Sequence, residues 1–331
     1  VVLSAVLAGA AAATATATNV DLPRYPSVSP DGDTIVFSWR GDLWKVPSAG
    51  GEAIRLTSHP MDDLASSWSP HGRRIAFEST RDGYRNLYLM NVDGTDVTQV
   101  TETDRSLTLT GFGPDENGSM MLTLSASREP DLYRSPRPYH VAESGGPIKR
   151  LHDAFGSEPT VSPDGRHVLF TRGGSSWNRR HYRGPDSRDV WIYSRDDGSF
   201  RQLTRWEGND GAARWADDGT VLFLSDRADD TVNVWKMTLE GDSTATPVTT
   251  FRGRDVVAFD VSDDGDTLVL QNWDRLFRLD PRDAAPRVEE IAITASEDEG
   301  DRVEIRDVSS RVTEAQLSPD GKVMAFVAFG I

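Results

Sequence analysis

The densest group of residues that could bind a ligand lies in one short segment near the middle of the chain. It contains three arginines and two aromatic residues: Trp177, Arg179, Arg180, Tyr182 and Arg183. A planar guanidinium group matches the two oxygens of a carboxylate, and aromatic rings offer flat surfaces to apolar side chains. We therefore predict that these five residues bind a peptide through its carboxylate and its side chains.

A structural role is the alternative for this segment. Trp177 and Tyr182 would then pack the loop against a neighbouring part of the protein, and the arginines would pair with nearby carboxylates such as Asp186 and Asp189. Loops of this length are usually functional or disordered, and the aromatic residues indicate order. The sequence alone does not separate binding from packing.

No catalytic group can be assigned from the sequence. The motifs Gly-x-Ser-x-Gly and His-Glu-x-x-His are missing, and the chain has no cysteine. A serine, histidine and aspartate that only folding brings together stays open, because such a triad is recognised by its geometry. The acidic turns 31–33 and 263–266 could hold calcium, but they lack the spacing of an EF-hand, and we favour solvated turns. We predict no catalytic residue, no metal site and no cofactor.

The charge balance excludes one class of partner. The chain has 52 acidic and 36 basic residues, which gives a net charge of −16. Nucleic-acid binding requires a basic face, so we predict no nucleic-acid partner.

The elements that must position these residues are indicated by a recurring turn, Ser-Pro-Asp-Gly or a close variant. Proline suits the second position of a tight turn, aspartate the third and glycine the exit, so each copy joins two antiparallel strands. Repeats of about 40–56 residues indicate stacked supersecondary units. The copies begin at residues 29, 69, 113, 162, 216, 262 and 318.

Each repeat has the pattern of four antiparallel strands. In the first repeat an apolar second strand covers residues 34–39, a third strand with a central aromatic covers 42–46, and a short outer strand covers 54–57. In the third repeat we place the third strand at residues 131–134. We expect the third-strand aromatics to fill the gaps between neighbouring units.

The fold class is therefore all-β: a six-bladed β-propeller of four-stranded antiparallel blades, plus the first strands of a second propeller. The six units span residues 26–283, about 43 residues each, which is typical of propeller blades. Because the first and sixth units each own four strands, we expect the ring to close by blade packing alone, with no shared strand.

The two ends of the sequence carry further expectations. Residues 1–17 have the small apolar composition and the Ala-x-Ala pattern of a signal-peptide remnant, so we predict export to the periplasm or the extracellular space and no membrane span. Residues 284–311 form an acidic linker. Residues 312–331 restart the repeat as the beginning of a second, truncated propeller.

After residue 20 the chain resembles the Tricorn-like peptidases of the S41 class of serine proteases. Three features carry the resemblance: the segment from Trp177 to Gly184, which is similar to the Trp…Tyr-x-Gly segment of Tricorn first propellers, the count of six repeats, and the restart at Ser318 after a charged linker. The predicted leader departs from cytosolic Tricorn proteins and indicates an exported bacterial relative.

The resemblance implies a larger serine peptidase with a second propeller, a PDZ domain and a peptidase domain as partners in the same chain. For this fragment it implies a non-catalytic propeller that gates peptide or unfolded-protein substrates, and it leaves homo-oligomer formation open. Similar repeats occur in TolB-like periplasmic proteins, in prolyl oligopeptidase relatives and ahead of some amidohydrolases. A protein-interaction propeller and the lid of another hydrolase are therefore the alternatives.

Overall fold

The coordinates are a computed structural model that describes residues 17–128, 135–228, 230–240, 243–296, 312–322 and 324–328. All regular structure in these ranges is β-strand. The chain divides into two units, Val1–Glu297 and Asp298–Ile331.

Six antiparallel sheets, the blades, follow one another along the first unit, and each runs from an inner first strand to an outer fourth strand. The first three blades follow β1 (Ala17–Asn19). They contain β2 (Arg24–Val28), β3 (Thr34–Trp39), β4 (Asp42–Pro47) and β5 (Gly51–Arg55); β6 (Asp63–Trp68), β7 (Arg74–Ser79), β8 (Asn86–Asn91) and β9 (Thr98–Gln99); and β10 (Thr108–Pro114), β11 (Met120–Ala126), β12 (Arg137–Ala142) and β13 (Lys149–Arg150).

The other three blades have the same strand order, and β26 (Ile293–Ser296) follows them. They contain β14 (Ser157–Val161), β15 (His167–Arg172), β16 (Asp189–Ser194) and β17 (Phe200–Gln202); β18 (Asp210–Trp215), β19 (Thr220–Ala228), β20 (Thr231–Thr238) and β21 (Thr246–Pro247); and β22 (Val256–Val261), β23 (Leu268–Asn272), β24 (Arg275–Leu279) and β25 (Glu289–Glu290).

The six blades form a closed ring. Each first strand contacts the first strand of the next blade, and β22 of the sixth blade contacts β2 of the first. Six apolar clusters fill the ring, one at each junction between neighbouring blades. A four-stranded sheet cannot bury both faces alone, and this radial stacking covers them. The prediction of a six-bladed propeller is confirmed.

One cross-strand pair recurs in every blade and fixes its register. It joins the centre of the second strand to the aromatic of the third strand, and the four second-strand phenylalanines are completely buried. The third-strand aromatics are buried in the first three blades and half-buried in the others. The six pairs are Phe37–Trp44, Phe77–Tyr88, Leu124–Tyr139, Phe170–Trp191, Phe223–Trp235 and Leu270–Phe277.

The third strand of the third blade differs from our prediction. It is β12, in which Tyr139 pairs with Leu124, whereas residues 131–134, where we placed it, lie outside the described residues. Both segments combine a tyrosine with apolar neighbours, and cross-strand pairing decides between them.

The closure of the ring also differs from our prediction, because a shared strand is present. After β25, the outer strand of the sixth blade, β26 pairs parallel with β5 of the first blade, and β1 pairs antiparallel with β26. Ile293 and Ala295 of β26 are buried in the same apolar cluster as Trp44. The propeller therefore extends to Ser296, into the stretch that we expected to be a linker.

The second unit is a hairpin of β27 (Val312–Leu317) and β28 (Met324–Ala328), joined by the turn at Ser318. A second propeller beyond this hairpin stays a prediction. The predicted leader, except Ala17, and residues 297–311 lie outside the described residues. Within the described ranges, no helix has the length and hydropathy needed to cross a membrane.

Candidate functional site

Every first strand of the propeller carries a bulge near its start. Four non-glycine residues there have left-handed backbone angles: Tyr25 (φ 50°), Ala65 (49°), Glu158 (56°) and Ala212 (52°). Such strain costs about 1–3 kcal/mol per residue and clusters at functional sites. The repeated bulge marks the axial surface as the place where this fold departs from regular strands.

An axial channel runs between the first strands, in two halves that are each lined by all six blades. The upper channel, with a volume of 340 Å³, lies beside the bulges and is lined by residues such as Tyr25, Ser66 and Ala212. The lower channel, with a volume of 300 Å³, lies beside the recurring turns and includes Trp68 and Trp215. The first strands thus enclose a passage along the axis of the propeller.

The two halves meet at six equivalent positions, which we name the waist ring. Each position pairs with the second-strand residue that precedes the central phenylalanine or leucine, and each lies two residues before the start of a recurring turn. All six residues line one or both halves of the channel. The waist ring consists of Ser27, Ser67, Gly111, Thr160, Arg214 and Asp260.

A larger cavity of 1030 Å³, the mouth cavity, opens above blades two to four. Its walls include Tyr84, Arg105 and Arg172, and it shares Thr108 and Glu158 with the upper channel. The mouth cavity, the upper channel and the lower channel therefore follow one another from one face of the propeller toward the other.

Glu158 lies where the mouth cavity meets the upper channel. Its carboxylate accepts hydrogen bonds from Thr171 Oγ1 (2.7 Å) and the Ala212 amide (2.9 Å), and it lies 3.3 Å from Arg188 Nη1. Burial opposes its ionisation, but Arg188, Thr171 and the Ala212 amide together hold the pKa of Glu158 below its usual value. The charge of Glu158 is therefore paired with that of Arg188, and the carboxylate is held in place by hydrogen bonds from blades four and five.

Glu78 is a second carboxyl group in the wall of the upper channel. Its Oε1 accepts the Leu109 amide (2.7 Å), and its Oε2 lies 3.1 Å from Arg85 Nη1. Burial raises the pKa of Glu78 to about 7, although Arg85 and the amide oppose this shift. The channel wall thus contains acidic groups from several blades.

Two of the five predicted site residues have structural contacts in the loop between β15 and β16. Trp177 packs against the apolar cluster between blades five and six. Arg180 forms two hydrogen bonds with Asp255, which precedes the sixth blade. These contacts agree with the packing role, although the partner is Asp255 and not Asp186 or Asp189.

The other three predicted residues are nearer the surface of the same loop. Arg179 stacks on the ring of Tyr182, with 3.8 Å between the guanidinium carbon and the ring centre, and Arg183 lies 2.9 Å from Glu207. None of the five lines the mouth cavity or the channel. Peptide binding by these five residues stays a prediction.

Three residues that line the channel were not predicted from the sequence: Glu158, Arg214 and Asp260. Arg188 belongs to the same loop, and its guanidinium lies between Glu158 and the ring of Trp177. A usable signal existed for the waist, because comparing the repeats two residues before each turn isolates Arg214 and Asp260 among small residues. A single strand does not show this contrast, because it appears only among equivalent positions of the six repeats.

The recurring turns have a structural role that explains their acidic residues. Ser29 Oγ donates to Asp31 Oδ1 (2.5 Å) and accepts the Thr34 amide (3.0 Å), and the same pattern recurs at Ser162 and Ser262. The hydroxyl of Ser29 lowers the pKa of Asp31. Across the described ranges no group of three or more His, Cys, Asp or Glu side chains is arranged to hold a metal ion.

A ring of six four-stranded antiparallel blades around an axial channel defines a six-bladed β-propeller. Residues 20–285 match the family described as the Tricorn protease N-terminal beta propeller domain. The chain belongs to this family.

Individual relatives agree with this assignment. Tricorn protease homolog 1 of Streptomyces coelicolor is 29% identical over 270 residues, which cover 79% of this chain and 24% of that protein. The crystal structure of the tricorn protease has a TM-score of 0.70 and 19% identity, over 93% of this chain and 29% of that one. A putative TolB from Agrobacterium tumefaciens has a TM-score of 0.58 and 19% identity, over 82% of this chain and 91% of that one. This chain therefore spans about a quarter of the curated relative, and the two structures show the shared fold alone.

Proposed function

We propose that this propeller passes peptides to or from the active site of a larger serine peptidase and performs no chemistry itself. The observation that carries the proposal is the series of cavities along the axis, from a mouth of 1030 Å³ to channel halves of 340 and 300 Å³. Family membership supports the same role.

The mechanism is selection by size and charge. The mouth cavity is wide enough for a segment of several residues, whereas the channel halves lie at the lower end of the roughly 300–1,000 Å³ typical of ligand pockets. Folded domains are thereby excluded, and an extended peptide enters. The mouth is lined by both arginines and aspartates, including Arg105, Arg172 and Asp104, so a peptide that enters meets groups of both charges.

In this proposal the parent protein is an exported Tricorn-like peptidase of the S41 class, placed in the periplasm or the extracellular space. Its second propeller, PDZ domain and peptidase domain are the partners of this propeller, and peptides or unfolded proteins are its substrates. Self-association of the parent would add a further partner.

The test is to block the channel in the full-length gene product. This chain has no cysteine, so Ser67→Cys gives the propeller a single thiol, which lies at the waist. A bulky maleimide can be attached to this thiol. We expect labelling to reduce peptide turnover severalfold while the unfolding temperature stays unchanged. Wild-type protein treated with the same maleimide is the control. Equal turnover before and after labelling of the variant would contradict a role for the channel.

A protein-interaction propeller of the TolB type is the second candidate, and one observation favours it. Three aromatic residues on the face that carries the mouth are exposed: Tyr25 (44%), Tyr84 (53%) and Trp273 (60%). Exposed aromatic side chains are enriched at protein–protein contacts. In this alternative, a labelled waist would leave partner binding intact, whereas changing Tyr84 and Trp273 to serine would abolish it.

A further inference from the structure

The waist ring has two charged positions, and they are neighbours. Small residues occupy its positions in blades one to four, whereas blade five contributes Arg214 and blade six contributes Asp260. Both side chains are half-buried, and both line the upper and the lower channel. The waist ring therefore presents a guanidinium group and a carboxylate from neighbouring blades.

Arg214 has hydrogen-bonding capacity to spare. Its Nη1 donates to the carbonyl of Ala213 (3.1 Å), and no carboxylate oxygen of the described residues lies within 4.0 Å of its guanidinium nitrogens. A guanidinium group has five N–H donors, so donors remain for a ligand in the channel. Glu158, the next acidic group along the wall, is already bound by Arg188.

Asp260 is held on one side and open on the other. Its Oδ2 accepts the amide of Val28 across the junction between blades six and one (3.0 Å). Arg214 is its main stabilising charge but does not form an ion pair with it. A carboxylate has about four lone-pair positions, so acceptors remain for a ligand.

We propose that the waist binds short unblocked peptides, with the terminal carboxylate on Arg214 and the terminal ammonium on Asp260. This inference rests on the proposed function and names the ligand class of the channel. A ligand with one charge would be attracted by one of the two groups and repelled by the other, whereas a zwitterion satisfies both. Ser67, an uncharged waist residue between the channel halves, can donate to a peptide carbonyl.

The cost of keeping Asp260 supports a binding role. Burial raises the pKa of Asp260 to about 6, so its ionised form at neutral pH weakens the fold. The corresponding residues of blades one and two are serines, which shows that the repeat does not need a charge here. A charge that costs stability at a position where other blades have serine is a candidate for function.

The experiment uses calorimetric titration of the chain with trialanine, N-acetyl-trialanine and trialanine amide. We expect trialanine to bind about tenfold or more tightly than either blocked form, because each block removes one charged contact. Arg214→Gln should weaken trialanine binding to the same degree and leave trialanine amide unaffected. Asp260→Asn should likewise weaken trialanine binding and leave the binding of N-acetyl-trialanine unaffected. Arg275→Gln, an exposed arginine paired with Glu290 in blade six, is the control.

Two results would overturn the proposal: no binding of trialanine at millimolar concentration, or equal affinity for the free and blocked peptides. The comparison of peptides in the wild-type protein needs no variant, so it holds even where a substitution harms folding. If maleimide labelling of Ser67→Cys lowers turnover but the free and blocked peptides bind with equal affinity, the channel function stands and the zwitterion site is contradicted. If labelling has no effect, the proposed function itself fails.

Discussion

At the scale of single residues, the repeat separates positions that build the fold from positions that do not. The pair Phe37–Trp44 of blade one has a counterpart in every blade because it fills a junction. The waist position, in contrast, changes from serine in blade one to arginine in blade five and aspartate in blade six. The buried pair was predictable in type because apolar alternation is local. The pair of Arg180 with Asp255 was not, because its members are 75 residues apart and meet only in the ring.

A buried histidine gives a prediction for acid stability. His152 is 7% exposed between blades three and four, its ring centre is 4.4 Å from that of Phe170, and neither ring nitrogen has a hydrogen-bond partner in the described structure. Burial lowers the pKa of His152 to about 4. Since the folded pKa lies below the unfolded value near 6.5, stability is complete above pH 6.5 and is lost as the pH falls toward 4.

We therefore compare the unfolding free energy of His152→Leu with that of wild type at two pH values. We expect the difference in favour of the variant to be larger at pH 4 than at pH 7.5, by up to about 3 kcal/mol. Urea titrations at both pH values measure the difference. His71→Leu, at an exposed turn position, is the control for loss of a histidine. A difference between wild type and His152→Leu that does not change with pH would contradict this account.

At the scale of elements, the closing strand β26 is the feature that local sequence did not predict. The blades were predictable because each hairpin is contiguous, whereas β26 pairs with β5 from about 240 residues away. The short apolar pattern at and just before β26, Ile291, Ile293 and Ala295, stands before an acidic stretch that dominates the composition. The first blade gains two extra strands as a result, and the ring is held by hydrogen bonds as well as by packing.

The closing strand predicts a contrast between two isoleucines on paired strands. Ile293 on β26 is 7% exposed, whereas Ile54 on β5 is 63% exposed. We expect Ile293→Ala to cost about 2–4 kcal/mol of unfolding free energy and Ile54→Ala less than about 0.5 kcal/mol. Urea titration measures both. Equal and small losses would show that β26 does not close the ring.

At the scale of the whole molecule, the ring of six blades has a central axis, which no single blade has. First strands that start at one face place all six bulges beside the upper channel and all six recurring turns beside the lower channel. The sequence predicted the number of blades and therefore the axis. The side chains that reach the axis follow from the register of strands in six separate sheets, and the sequence indicates Arg214 and Asp260 only when equivalent positions of the repeats are compared.

A crystal or cryo-EM structure of the full-length gene product with a bound short peptide tests the central claim most directly. We predict six blades between Arg24 and Ser296 and peptide density on the axis at the waist ring, beside Arg214 and Asp260. A different number of blades, or a peptide bound only outside the ring while the axis holds no ligand, would contradict the account.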